Sequence, residues 1–337
     1  MHAKDILIQL LKIKSHPKEE WQMIDFIVHE TEKLGYDVKI EGNEINNIFI
    51  DGKHNFIIAT HMDTIEREME IRQEGNKIYG RGASDAKASI ASILLFLEKA
   101  EQLNFSIAFL SDEEEDAKGS HFFVKKHRIK EAIIMEPTSL RICNYHAGNI
   151  EIFFEIMDEE THGSFCGGAI NKAIKMIEKL NKMNCWKKGK YFDSCLTIQE
   201  IKSINPYYMN PERCAGRIEV RLLAEQNAYE IAEKMRKIIE EYGEAEFKEI
   251  WNGFEINKDD KMVMLAGKAC KKADIPFLLH GMPSWTDALV FNKSGIKSIV
   301  FGPGELKYSH TKNEYLSIEE IEKAKNFLYA LNILIGK

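Results

Sequence analysis

The sequence predicts an α/β protein: a catalytic domain on a central mixed sheet, interrupted by a smaller ferredoxin-like α+β unit. Three observations carry this. Short apolar runs such as Ile57-Ile58-Ala59, Ile133-Ile134 and Ile299-Val300 alternate with helical patterns. Between residues 148 and 252 the pattern changes to β-α-β-β-α-β, the order of a ferredoxin-like unit. At 337 residues the chain also exceeds what one hydrophobic core usually supports. The expected division is therefore a discontinuous larger domain, 1–147 and 253–337, with 148–252 inserted into it.

Taken in order, apolar residues at helical spacing predict a helix over 17–34, with Pro17 in a tolerated first turn and Gly35 stopping it. Turn signals at Gly42-Asn43, Asn46-Asn47 and Asp51-Gly52 mark a β-rich segment, and a strand then runs into His61. Residues 84–103 show the clearest core-helix pattern, with small Ala and Ser residues first and then Ile93, Leu94, Phe96 and Leu97. A strand at 107–110, a helix start at Gly119-Ser120 and a strand at 132–135 follow. In the inserted unit the strands are 150–156, 195–204, 215–223 and 245–251, and the helices 169–180 and 227–242. The main sheet resumes at Phe277-Leu278-Leu279 and at 298–301, and a helix over 317–335 closes the chain.

Composition excludes several classes. A formal charge of −7 offers no basic face for nucleic acid or an anionic membrane. The six cysteines are dispersed with no Cys-x-x-Cys pair, which argues against a zinc ribbon, a redox motif or a disulfide framework; most are expected to be small buried hydrophobes. The first residues mix Lys, Asp and His, unlike a signal peptide, and no apolar run approaches the ~20 residues needed to span a bilayer. A cytoplasmic protein is expected.

Four predicted strands end on metal-binding types of side chain. They lead into His61-Met62-Asp63, Asp112-Glu113-Glu114, Glu136 and the Gly302–Thr311 loop containing His310. Ligands in open α/β sheets collect beyond the carboxyl ends of the strands. Asp85, in the loop opening the long core helix, joins them there. Each signal alone has a plainer explanation: a strand-end His, an N-capping Asp85, a solvated charge run at 112–116, a turn Glu136, a surface His310. Two imidazoles and several carboxylates at strand ends, in this order, instead read as a two-metal hydrolytic centre. Asp63 suits the role of orienting the His61 imidazole. Glu113 is assigned as general base and Glu114 as ligand, with a register shift toward Glu115 as the alternative. No Gly-x-Ser-x-Gly elbow, P-loop or Gly-x-Gly-x-x-Gly turn competes.

At these residues the chain resembles the M20 metallopeptidase and amidohydrolase family, most of all its acetylornithine/acetyl-lysine deacetylase branch. The likeness covers nearly the whole chain. It rests on His61-Met-Asp63, Gly80-Arg-Gly-Ala-Ser-Asp85-Ala-Lys87, Asp112-Glu-Glu114 with Lys118-Gly-Ser120, Met135-Glu-Pro-Thr138, Thr286-Asp287-Ala288 and His310-Thr-Lys-Asn-Glu-Tyr315. The resemblance implies two divalent ions, zinc first with cobalt or manganese as alternatives, bridged by Asp85. His61 and Glu136 would complete one site, Glu114 and His310 the other, with Glu113 as base and a cis Asp85-Ala86 bond. It further implies that 148–252 is a lid and dimerisation domain. His162 would reach an active site, its own or a partner's, and Arg221 would meet the substrate carboxylate. Thr286, Asp287, Gly302 and Gly304 would line the substrate.

There are departures from the family pattern. Tyr208 stands where the lid motif Asn-x-x-Pro, ending here at Pro211, usually has Asn; Asn205 and Asn210 are the neighbours that would compensate. Ala86 and Ala88 replace residues often Gly or bulkier. The expected reaction is hydrolysis of an N-acyl amino acid of the acetyl-lysine or acetyl-ornithine type in amino-acid biosynthesis. The amino acid would be free or borne on a small acidic carrier protein, and the enzyme a homodimer. The alternative is a di- or tripeptidase or carboxypeptidase with the same centre. A silent relative is disfavoured, because every ligand and the base are present.

Overall fold

A computed structural model describes residues 2–42, 45–205 and 207–337; Asn43, in one expected turn, lies outside them. The chain separates into two compact units. The first comprises Met1–Asn144, Ile256–Met282 and Thr286–Lys337; the second comprises Tyr145–Glu255 and Pro283–Trp285.

The first unit is built on a mixed sheet. Its strands run in the order Val38–Glu41, Asn47–Ile50, Ser106–Leu110, Phe56–His61, Glu131–Ile134, Lys297–Val300, Ile142–His146. Phe56–His61 pairs in parallel with both Ser106–Leu110 and Glu131–Ile134, and Lys297–Val300 pairs in parallel with Glu131–Ile134. The flanking pairs are antiparallel. Register places His61 opposite Leu110, and Ala59 and Val300 each opposite Ile134. Four parallel strands thus end together, and the residues that follow each of them emerge on one side. All residues of Phe56–His61 and Ser106–Leu110 are buried, as continuous apolar runs in a sheet covered on both faces should be.

The core helix is Lys87–Leu97, buried at every residue. It is shorter than the expected 84–103. Ser84 and Asp85 belong to the turn before it, and at its far end the Tyr36 hydroxyl donates to Leu97 O (2.9 Å) and Ala100 O (2.8 Å), holding the chain where it leaves the helix. The first expected helix begins only at Trp21, because Lys18 takes φ +70. The final helix, Ile318–Ile335, starts one residue late with Ser317 as its cap. Phe277 and Leu278 are not in the sheet; the strand is Leu279–Met282, and the two side chains are 43% and 52% exposed. Helices Ala3–Lys12, Lys261–Lys272 and Ala288–Lys293 and the strand Ile142–His146 were not anticipated.

The second unit has the expected ferredoxin-like topology. Its antiparallel sheet runs Cys195–Lys202, Arg213–Leu222, Gly148–Met157, Glu244–Trp251. On Gly148–Met157 the even-numbered positions Ile150, Ile152, Phe154 and Ile156 are buried. They share one core with Ala173, Met176 and Leu180 of helix Ala169–Asn181 and with Ala232, Met235 and Ile239 of helix Ala228–Ile239, the alternation of a sheet with one covered face. A separate small pair joins Thr161–His162 to Met209–Asn210. Within this unit the Arg221 Nε donates to Pro283 O. Cys143, Cys185, Cys214 and Cys270 are buried, whereas Cys166 is exposed and Cys195 half-buried. Among the described residues no helix is long and apolar enough to cross a membrane.

Candidate metal centre

His61 closes its strand with its side chain fully buried. Its Nε2 lies 3.1 Å from Asp85 Oδ1 and 3.7 Å from Glu136 Oε2. The other oxygen of Asp85 faces the second imidazole: His310 Nε2 is 3.5 Å from Asp85 Oδ2 and 2.9 Å from Glu114 Oε1. One carboxylate thus stands between two imidazoles, each with a further carboxylate beside it. Ligand atoms of His61, Asp85 and Glu114 all lie within 4.8 Å of one another.

The loops explain these positions. Asp85 does not cap the core helix: the cap is Ala86, without a side-chain bond, and the Asp85-Ala86 peptide is cis. Its carboxylate faces His61 and His310 instead. Asp63 accepts the backbone N–H groups of Glu113 (3.2 Å) and Glu114 (2.9 Å), pinning the acidic turn beside the sheet. Its Oδ1 lies 3.5 Å from His61 Nδ1, too long for a well-formed hydrogen bond. Asp63 thus acts on the Glu113-Glu114 backbone more directly than on the His61 ring, a refinement of the expected role. Glu20, buried at the start of helix Trp21–Lys33, accepts the Asp112 N–H at 3.0 Å and holds the same turn from behind.

Electrostatics single out this patch. Burial lifts the Glu113 and Glu136 carboxyls well above their ordinary range, and the carboxylates around each add to it against the opposing pull of His61. Burial pushes Asp287 up to about 7. For His61 burial works downward, but Glu136, Glu113, Asp63 and Asp85 carry its pKa well above that of ordinary imidazole. His310 is likewise depressed by burial yet raised by Glu114 and Asp85, to about 9. Carboxylates outnumber cationic groups in a region where unpaired charge is expensive. Among the described residues Glu136 Oε1 is buried without a hydrogen bond, and neither oxygen of Asp287 makes a well-formed one, although Ser120 is its neighbour. Imidazole and carboxylate donors with unmet bonding capacity suit zinc, cobalt or manganese, so the residues fit a divalent metal.

The remaining expected site residues fall differently. Thr286 is buried and its Oγ1 accepts the Ala288 N–H (3.2 Å) at the start of helix Ala288–Lys293. Gly302 N donates to Thr138 Oγ1 (3.0 Å) and Gly302 O accepts from Leu140 (2.9 Å). Gly304 N donates to Glu320 Oε2 (2.8 Å) and Gly304 O accepts from Ser139 (2.7 Å). With N–H and C=O both engaged, the two glycines tie this loop to Thr138, Ser139, Leu140 and Glu320. Gly304, at φ +96, also sits so close to Ser84 that a Cβ would lie 2.2 Å from its Oγ. In the second unit His162 is exposed, its ring 5.3 Å from that of Tyr208. Arg221 lies on strand Arg213–Leu222, bound to Pro283 O. Asn210 bonds Thr161 Oγ1 and Phe165 O, both at 2.7 Å, so it braces the loop around His162.

Sequence reasoning gave no role to Arg81 and Glu314, a buried ion pair beside Asp85. Both stand inside motifs quoted above, but no spacing rule pairs residues so far apart in the chain.

A profile of peptidase family M20/M25/M40 matches residues 57–332. A [LysW]-lysine/[LysW]-ornithine hydrolase of Saccharolobus islandicus is 24% identical, covering 99% of this chain and 96% of the relative. An acetylornithine deacetylase of Buchnera aphidicola is 25% identical over 92% of this chain and 90% of its own. Among solved structures, the aminopeptidase PepT of Bacillus cereus superposes with a TM-score of 0.79 at 19% identity, covering 100% of this chain and 98% of that one. An M20 family metallo-carboxypeptidase of Sulfolobus solfataricus gives 0.79 at 16%, covering 99% of each.

Proposed function

The chain belongs to peptidase family M20/M25/M40 and is a metal-dependent amide hydrolase, and we propose that it deacylates an N-acyl amino acid of the lysine or ornithine type in amino-acid biosynthesis. The observation that carries the chemistry is the Asp85 carboxylate, with one oxygen toward His61 and the other toward His310. His61, Asp85 and Glu136 would hold one divalent cation, and Asp85, Glu114 and His310 a second. Bound there, such a pair acidifies a water and polarises the scissile carbonyl.

This chain's own groups do the rest. Glu113, buried among carboxylates that raise its proton affinity, takes the proton of the attacking water and delivers it to the leaving amine. Asp63 fixes Glu113 by its backbone while Glu114, one residue on, turns to His310. His162 is assigned to the developing oxyanion and Arg221 to the substrate carboxylate, both on the likeness of their motifs. The inserted unit is assigned as lid and dimerisation domain.

Two observations favour a basic amino acid. A cavity of about 270 Å³ touching Glu114 is lined by Glu19, Glu66 and Glu115 with His16, Pro17 and Ile65. Lys18 occupies Glu115, so Glu19 and Glu66 are the carboxylates offered to an ammonium group. The two sequence relatives named above, at 24% and 25% identity, also carry lysine or ornithine in their names, and the one bearing [LysW] supports a substrate tethered to a small acidic carrier protein.

The test is a substrate panel run with metal analysis on the purified protein. N-acetyl-lysine, N-acetyl-ornithine and carrier-borne lysine are expected to turn over, with zinc preferred over cobalt and manganese. Turnover of dipeptides or tripeptides alone would replace the deacylase reading with a peptidase, and no hydrolysis with bound metal would refute both.

A further inference from the structure

Arg81 and Glu314 are 8% and 0% exposed and face each other in a buried ion pair. Among the described residues, their remaining bonds all go to the backbone of three loops. Glu314 Oε1 accepts the N–H groups of Ser84 (3.0 Å) and Asp85 (3.1 Å). Arg81 Nε donates to Arg67 O (2.7 Å) and its Nη2 to Thr311 O (3.1 Å). Arg67 in turn donates from Nη1 to His310 O at 3.3 Å, and Gly80 N–H donates to Glu314 O at 3.3 Å. The pair therefore joins the turn carrying Asp85 to the turn carrying His310.

We propose that Arg81 and Glu314 form a positioning clamp that sets the distance between Asp85 and His310 and thereby the affinity of the site these two side chains share. The inference rests on the metal-centre reading above. Its physical basis is the division of labour within the pair. Glu314 fixes the backbone of Asp85 through two N–H groups, which aims the carboxylate, while the fork of Arg81 spends one arm on Glu314 and one on the His310 turn. Arginine is suited to this because its planar fork serves several acceptors from one fixed group. Neither residue touches the reacting atoms. Outer partners that orient metal ligands typically contribute about 10–100-fold in metal affinity.

The experiment compares wild type, Glu314→Gln and the double variant R81M/E314L, all stripped of metal. Replacing both members of a buried pair by apolar groups of similar size avoids leaving one charge stranded. Each protein is titrated with Co²⁺ and with Zn²⁺ against a competing chelator, and the Co²⁺ absorption band is recorded. Circular dichroism and urea unfolding of the metal-free forms are measured alongside. Glu314→Gln keeps an oxygen for the Ser84 and Asp85 N–H groups and should lose less affinity than the double variant. The double variant should stay folded, bind Co²⁺ about 10–100-fold more weakly and show a shifted band. Wild-type affinity and spectrum in the folded double variant would overturn the clamp. So would failure of that variant to fold, since it would make the pair a support of the core. Absence of metal binding in the wild type would instead sink the metal-centre reading itself.

Discussion

Glu113 and Glu114 are chain neighbours assigned opposite tasks, and the difference lies in what surrounds them. Glu114 meets His310 at 2.9 Å. Among the described residues Glu113 is held by its backbone N–H alone, so its carboxylate is available to a water. Glu113→Gln should bind metal as wild type does and lose roughly 100- to 10,000-fold in kcat, the usual contribution of a general base; kcat within a few-fold of wild type would remove its assignment. His146 tests burial away from this centre. Burial holds its pKa at about 4, against an ordinary 6.5. A base whose folded pKa is depressed gives stability that is complete above 6.5 and lost as pH falls toward 4. Urea unfolding should therefore show a loss on the order of 3 kcal/mol across that window, and His146→Gln should flatten it. An unchanged slope would mean that the ring is not buried neutral.

The elements show how far local pattern reaches. The strand into His61 and the whole β-α-β-β-α-β series were legible because period and turn residues agreed. The helix Lys87–Leu97 was legible in its apolar run but overextended at both ends, since Ser84 and Asp85 are drawn away by Glu314 and Tyr36 ties down the exit. The metal-type residues other than Asp85 could be found because they stand at or after recognisable strands, and Asp85 because it stands in the loop before the core helix. Their partners could not: Glu20, Arg81 and Glu314 act across contacts that no sequence period encodes. Helix Ala3–Lys12, not predicted from the sequence, buries one face through Ile6, Leu7, Leu10 and Leu11. Two substitutions test this scale. Phe96→Ala should cost about 3–5 kcal/mol by cavity formation in a fully buried helix. Gly304→Ala should weaken metal binding, because its Cβ would push Ser84 and with it Asp85. Wild-type metal affinity in a folded Gly304→Ala protein would contradict that linkage.

At the scale of the whole molecule, the second unit carries a sheet edge that its own strands do not cover. Strand Cys195–Lys202 pairs only with Arg213–Leu222 among the described residues, and Ile198 and Ile201 on it are 39% and 47% exposed. An exposed apolar edge invites pairing with another chain, and a two-fold arrangement would satisfy it in both copies. The proposed homodimer should therefore sediment as a dimer, with Ile201→Lys shifting it to monomer; an unshifted dimer would move the interface elsewhere. The central claim concerns two cations sharing Asp85, and the most direct measurement is anomalous diffraction at the zinc edge from crystals grown with zinc. The account predicts two peaks about 3.5–4 Å apart, one beside His61 and Glu136, the other beside Glu114 and His310, with Asp85 between them. No peak there, or peaks at other side chains, would contradict it.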